Sequence, residues 1–402
     1  MSRRRLAAAV AFFGFVALGL PESVLATAWP DMADDFGRPI GHLQWLLVSY
    51  TLGYLLSSAP AGMGVRRYGV RGIAGLGVSL SIVGLGLYAA GPTWGWVVVA
   101  GFVLGCGAGQ LDTAMNVWAT TQGARTMNLL HAAFGIGTTI GPPLTVVAAA
   151  ATSWRGAYVV LIAFDLALLG AMWLVGPDHH PRHAPPTDRP SARPAPAGAT
   201  TVILASFAAY VAVEVTAGAW GYSYLREQQG LSAAAAGFGI AGYWAGLTLG
   251  RLALGLVGSG LAPQPVLVWG AVGSVAATVL IALGATAGGV IGLIGLGCSL
   301  AGLFPALMLL TPAMVGADRA ALTVGWSLSA SGISSALVAV LVGQQVDRVD
   351  LGVIPPNLLV GSLVLLGLVL LLLRLQRTPA QASSSAAPGA DNSADASANS
   401  IT

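Results

Sequence analysis

The sequence predicts an all-α membrane protein with twelve transmembrane helices in two pseudo-symmetric six-helix bundles. Three observations carry that prediction. Hydrophobic residues make up 55% of the 402 positions and charged residues only 8%, with a mean hydropathy of +0.78, whereas a soluble domain carries about a quarter charged residues. Twelve apolar runs reach the roughly 20 residues needed to cross a bilayer. A polar stretch then divides these runs six and six, and matching residues open each half.

The predicted spans lie at about 7–30, 42–64, 72–91, 94–120, 128–152, 154–176, 200–226, 232–257, 263–285, 287–311, 317–345 and 354–376, each near the length a bilayer demands. Turns of Pro, Gly and the few charges separate them, as in Arg66-Arg67-Tyr68-Gly69-Val70-Arg71. The first span follows Arg3, Arg4 and Arg5 and ends near Ala26-Thr27-Ala28, an arrangement that imitates a secretory signal. Glu22 inside it speaks against cleavage, as does the repeat that cleavage would break. The fourth span places Gly101, Gly105 and Gly109 on one face, where a neighbouring backbone can approach closely. The fifth carries Gly135, Gly137 and Gly141 before Pro142-Pro143, a pair that frees carbonyls and bends a helix.

Residues 177–199 are rich in Pro, Arg and His and read as a cytoplasmic linker; His179, His180 and His183 are expected to be solvated there, not to hold a metal. The two domains are thus 1–176 and 200–376, and 377–402 reads as a disordered cytoplasmic tail of Ala, Ser, Pro and Asn. The halves echo each other: Glu22 precedes Trp29 in the first span, and Glu214 precedes Trp220 in the seventh. The next span of each half ends in a Gly-and-Arg stretch, Gly62 to Arg71 and Gly250-Arg251. Such repetition predicts parallel repeats with a solute path between them. Cys106 and Cys298, in the fourth and tenth spans, are expected to be packing residues without disulfide or metal.

Every basic residue is Arg. With the N-terminus inside, fourteen fall on or near the cytoplasmic side, Arg251 among them, and Arg38, Arg155, Arg226 and Arg348 fall on the other. That bias predicts a multi-pass protein of the cell's inner (plasma) membrane with both termini cytoplasmic. The net charge of +3 is then a topology signal and gives no reason to expect nucleic acid. Without Lys there is no G-x-x-x-x-G-K-[ST] loop to cradle ATP, and no H-E-x-x-H motif occurs, so neither a cofactor, a metal nor an enzymatic activity is expected.

The loop Gly62-Met-Gly-Val-Arg66-Arg67-Tyr-Gly69-Val-Arg71 is similar to the G-x-L-x-D-R-x-G-R-R signature of the major facilitator superfamily, keeping Gly62, Arg67, Gly69 and Arg71 with Arg66 where an Asp is expected. Gly107-Ala-Gly109-Gln-Leu-Asp112-Thr113-Ala-Met-Asn116 and Asn128-Leu-Leu-His131-Ala-Ala-Phe134-Gly135-Ile-Gly137 resemble fourth- and fifth-helix segments of fucose-permease-like proton symporters. The resemblance implies the superfamily's fold, a gating loop at Gly62, Arg67, Gly69 and Arg71, and roles in proton coupling and sugar binding for acids in the first and fourth helices. By motif those are Glu22 and Asp112. Asp112 is one methylene shorter than the family's Glu, so the sugar's identity does not carry over.

The residues themselves point the same way. A carboxylate at a helix centre in hydrocarbon costs roughly 2.5–3.5 kcal/mol on the most lenient scale, so Glu22, Asp112 and Glu214 are expected to face a polar path. They are the proton-coupling candidates, since desolvation favours the protonated form. Asp112 and Asn116 are four residues apart and share a helix face. Solute contacts are assigned to Asn116, His131, Trp29, Trp118, Trp220, Tyr222 and Trp244; for His131 and the aromatics, plain packing is the competing reading. Asp165, midway along the sixth span, is left with packing. The expected function is proton-coupled secondary transport of a small polar solute, a sugar or polyol first, by a monomer in a lipid bilayer. The alternatives are an exporter exchanging protons for an amphipathic compound and, more remotely, a non-transporting receptor.

Overall fold

A computed structural model describes residues 3–122, 124–177, 198–257 and 262–382. Among them the chain is helical, with α1 Arg3–Asp35, α2 Leu43–Ala90, α3 Trp94–Gln122, α4 Ala124–Ala151, α5 Trp154–Val175, α6 Ala199–Ser223, α7 Ala233–Val257, α8 Pro263–Ala282, α9 Thr286–Leu300, α10 Leu303–Val315, α11 Ala317–Arg348 and α12 Ile354–Ala382. The predicted linker falls almost wholly outside the described residues, as do His179, His180, His183 and the tail beyond Ala382. The last helix runs past the expected boundary at Arg377.

Helix occupies each of the twelve predicted spans once two departures are recognised. The second and third spans form one helical stretch, α2, broken at Gly69, where φ is 75° and ψ is 167°. An L side chain rarely adopts that conformation, so the glycine makes the reversal possible. The expected loop from Gly62 to Arg71 is therefore helical except at that one residue. Leu46 and Tyr88 lie on opposite sides of the break, and both come within 3.3 Å of where a Cβ on Gly101 would sit. A straight helix would hold them about 60 Å apart; they meet because α2 folds back as two antiparallel arms. The tenth span is interrupted at Ala301-Gly302, so that α9 and α10 make a single crossing, Thr286–Val315.

The expected glycine face packs as predicted. Gly101, Gly105 and Gly109 of α3 meet Leu46, Tyr50 and Tyr54 of α2's first arm, and Gly53 returns the contact against Phe102 and Cys106. The second half repeats the device: Gly246 of α7 meets Cys298 of α9, while Gly297 of α9 meets Tyr243 of α7. Both cysteines are free and sit in corresponding places as small packing residues. The pairing of α1 with α4 and α5 matches that of α6 with α11 and α12. Likewise α2's second arm packs on α5 through Gly75 and Trp173, as α8 packs on α12.

Between the halves, α4 meets α7, α2 meets α11 and α1 meets α6. Gly135 against Thr248 and Gly237 against Val146 mark the first of these seams; Gly343 against Gln44 and Gly332 against Leu55 mark the second. One rim is tied by charge. Arg226, on a π-helical turn that extends α6 (Tyr224–Gln228), binds Asp31 of α1 at 2.9 Å. His42 lies 4.0 Å from Asp347 of α11. Toward the other end of the same helices, Leu56 and Met63 of α2 and Leu322 and Trp326 of α11 are exposed.

A Cβ on Gly105 would run into the carbonyl of Tyr50, whereas one on Gly62 meets nothing within 4 Å. Gly105→Ala is expected to destabilise the protein by about 1–3 kcal/mol, the usual effect of overpacking. Gly62→Ala should be neutral or mildly stabilising. Thermal unfolding of both variants in detergent micelles checks the contrast.

Candidate functional site

The acids predicted to share a polar path come from α1, α3 and α6; Glu22 and Glu214 face each other across the seam between the halves, while Asp112 lies in the first half, near His131. Glu22 lies on α1 beside Leu20 and Ser23, which pack on Gly137 and Gly141 of α4. Its side chain is open to solvent although its helix is among the most buried, so it faces an interior crevice. Charges on Glu214 and Arg251, both from the second half, act on it there.

Asp112 is half-buried on α3 and is held by two donors. Tyr54 Oη donates to its Oδ2 at 2.6 Å, and Asn116 Nδ2 donates to its Oδ1 at 2.8 Å. The second donor follows from helix geometry, since positions four apart stack on one face. The first requires tertiary packing, because Tyr54 belongs to α2's first arm and reaches Asp112 only through the close contact made by Gly109. His131 of α4 is exposed in the seam, within the fields of Asp112 and Arg251.

Glu214 is paired. Arg251 Nη2 lies 3.3 Å from its Oε1, and the same nitrogen donates to Tyr210 Oη at 2.8 Å. Tyr243 Oη donates to the backbone carbonyl of Glu214 at 3.1 Å. This corrects the expectation that placed Arg251 with the cytoplasmic charges. Its guanidinium turns inward because a half-buried carboxylate and two phenols compensate its lost hydration, which hydrocarbon would not. The signal was in the sequence: Arg251 lies inside the predicted span 232–257, two turns from its end.

The aromatic candidates separate. Trp220 and Trp244 are buried on α6 and α7, and neither indole N–H has an acceptor among the described residues. Trp244 lies over Gly218, one turn beyond Glu214 on the same face of α6. Tyr222 belongs to the charged rim, where its Oη accepts from Arg226 Nη1 at 3.2 Å. Trp29 is also at that rim, its Nε1 donating to Ile40's carbonyl at 2.6 Å and its ring 5.7 Å from Trp94. Trp118 is buried in the core of the first half. Asp165 is buried on α5. Tyr54, Tyr210 and Tyr243 were not singled out from the sequence, where Arg251 figured only in the repeat and among the boundary charges; a tyrosine in an apolar run carries no mark of its partner.

The signature loop lies away from this cluster. Gly62 stands in open space, Arg67 stacks over Tyr68 at 5.3 Å, Gly69 makes the reversal, and Arg71 Nη2 donates to Gly176's carbonyl at 2.8 Å, tying the break to the end of α5.

Residues 11–203 match the family model described as Major Facilitator Superfamily. Nearly the whole chain superposes on two solved structures. One is a point mutant of the nucleoside transporter NupG, at TM-score 0.74 and 13% identity over 92% of this chain and 99% of that one. The other is the major facilitator transporter FucP in its outward conformation, at TM-score 0.61 and 17% identity over 92% and 98%. The first half of the chain is thus similar to the major facilitator superfamily, and the fold of nearly the whole chain is that of the two solved structures. Its fold resembles that of the fucose-permease group, as the fourth- and fifth-helix motifs implied. Among curated relatives it is similar to the putative multidrug resistance protein MdtD of Salmonella dublin, with 28% identity over 40% of this chain and 35% of the relative. Bypass of stop codon protein 6 of Saccharomyces cerevisiae shares 23% identity over 60% and 55%. The human sodium-dependent glucose transporter 1 shares 31% over 35% and 28%. The chain thus spans between about a quarter and just over half the length of these three relatives.

Removing one partner of a largely desolvated ion pair strands the other charge. Arg251→Gln is expected to lower stability by on the order of 3 kcal/mol. The double variant Arg251→Gln/Glu214→Gln should recover much of that loss. Chemical unfolding of the single and double variants measures the coupling.

Proposed function

We propose that the protein is a proton-coupled secondary transporter of a small polar solute, with a sugar or polyol ranked first. The observation that carries this reading is the approach of Glu22 to Glu214 and Arg251 across the seam between two similar helix sets, with Asp112 joined to them through His131. Carboxylates inside apolar helices are costly. Three of them, drawn from both halves, fit a path whose walls must exchange protons. Asp112 and Asn116, half-buried on one face of α3, offer acceptors and donors suited to hydroxyl groups. The kinship to solved proteins titled as nucleoside and FucP transporters supports a polar cargo.

On this reading residues 1–176 rock against 200–376 in an inner-membrane monomer whose termini are cytoplasmic. The rim closed by Asp31–Arg226 and His42–Asp347 is then external. Glu22, Asp112 and Glu214 handle protons; Asn116, His131, Trp220 and Trp244 contact the solute, while Trp29 and Tyr222 act at the outer gate and Trp118 supports the first half. The rival reading, proton-driven export of an amphipathic compound, draws on the similarity to a putative multidrug resistance protein and on the aromatic lining.

Proteoliposomes given an inward proton gradient should accumulate a labelled sugar or polyol from a test panel. Glu22→Gln should abolish gradient-driven accumulation, and Asp112→Asn should reduce it at least tenfold. Gradient-independent uptake, or full flux in both variants, would remove proton symport. Gradient-driven efflux of cationic dyes with no sugar uptake would establish the rival.

Arg226→Gln opens the external rim by removing the Asp31 pair. Reaction of a cysteine placed at Ile40 with a membrane-impermeant maleimide should then quicken several-fold relative to the unaltered rim. An unchanged rate would show that this pair does not hold the rim closed.

A further inference from the structure

The central cluster contains more carboxylates than cations, and its three acids are not equivalent. Asp112 has Tyr54 and Asn116 as donors. Glu214 has Arg251. Glu22 makes no hydrogen bond or ion pair among the described residues, yet the charges of both Glu214 and Arg251 reach it. Arg251 in turn uses a single nitrogen, Nη2, for both Tyr210 and Glu214, at 2.8 and 3.3 Å. A guanidinium presents five N–H donors in a fixed fork. Its bonds to Tyr210 and Glu214 therefore engage one arm of that fork.

We propose that Arg251 is a counter-ion shared across the seam, serving Glu214 while Glu22 is protonated and drawn to Glu22 when Glu22 releases its proton to water in the crevice. The proposal rests on the reading of the seam as the moving interface, and adds the residue through which proton occupancy is felt by both halves. Glu22 belongs to α1 and Arg251 to α7, so a shift of the guanidinium changes a contact between halves and not merely one within a half. The surrounding charges set its direction. Glu214, Tyr210 and Tyr243 hold Arg251 toward the second half; Glu22 pulls it toward the first, and a protonated His131 on α4 would push it back. Asp112 on α3 attracts any charge on His131. A ligand shifts a two-state equilibrium only through differential affinity for the two states. For the proton, the alternative placements of Arg251 supply that difference.

The test reads motion without any solute. Spin labels are attached at Met63→Cys and Leu322→Cys, the exposed ends of α2 and α11, in a Cys106→Ser/Cys298→Ser background. Distance distributions are recorded in lipid nanodiscs in acidic and in mildly alkaline buffer. The background protein should redistribute between two populations with pH. Glu22→Gln and Arg251→Gln should each abolish the redistribution, and their combination should do no more than either alone. Arg251→Lys, which keeps the cation and is the fallback should the Gln variant fail to fold, should retain it. Glu214→Gln should enlarge the alkaline population, because the guanidinium loses its competing partner. A pH-insensitive background, an undiminished response in Glu22→Gln or Arg251→Gln, or loss of the response in folded Arg251→Lys would each overturn the proposal. A protein that failed every flux assay would still answer here, so the two readings fail separately.

Discussion

Charge in hydrocarbon is the constraint on which this structure turns. Each carboxylate buried in an apolar helix has to find water, a donor or a counter-ion, and lipid supplies none of them. The chain meets that demand in three ways. Asp112 is satisfied by neighbouring donors, Glu214 by Arg251, and Glu22 by an opening to solvent between the halves. Because the three acids come from α1, α3 and α6, satisfying them fixes which helix faces turn inward. The lipid-facing surfaces are left to Leu, Val and Ile, many of them exposed.

That outcome depends on how closely the helices pack. Gly109 lets α2 approach α3 near enough for Tyr54 to reach Asp112, and Gly135 lets α4 approach α7, so that His131 and Arg251 fall within each other's fields. Glycine in a helix costs about 1 kcal/mol relative to Ala. Here it is offset by backbone-to-backbone contact that no larger residue permits. The same arrangement in α7 and α9, down to the placement of Cys298 opposite Gly246, shows that the halves share a construction and not only a composition.

The charged rim has a different character from the centre. Asp31, Arg226, His42 and Asp347 are partly exposed and meet across the halves through single contacts. Exposed ion pairs contribute little to stability, and contacts of that kind can part without a large barrier. The centre is built from shared hydrogen bonds on half-buried groups. A weak closure at the rim above a strongly satisfied core is the distribution that the proposed rocking of the two halves would require.

Much of the fold was legible from local sequence. Length and hydropathy define the spans because a bilayer sets how many apolar residues a crossing helix needs. The glycine spacing of α3 exposed its packing face, and the interval between Asp112 and Asn116 fixed their mutual contact, since both are properties of a single helix. The acids announced themselves by their cost. Less was legible wherever two distant segments had to meet. The sequence marked Gly69 as part of a loop, and only the folded chain concentrated the whole reversal in that one residue. It offered Trp29, Trp220, Tyr222 and Trp244 as solute contacts, with Trp220 and Trp244 foremost; packing sent Trp29 and Tyr222 to the rim and left the other two buried. Above all, Arg251 read as a boundary charge, since a cation near the end of a span satisfies the positive-inside pattern whichever way its side chain points. Its inward turn to Glu214 and Tyr210 depends on partners 37 and 41 residues away. Sequence thus determined which residues the membrane would tolerate and at what depth, for that is a solvation property of each segment. Which charges neutralise one another was decided by tertiary structure, because an ion pair exists only where two backbones bring its partners within reach.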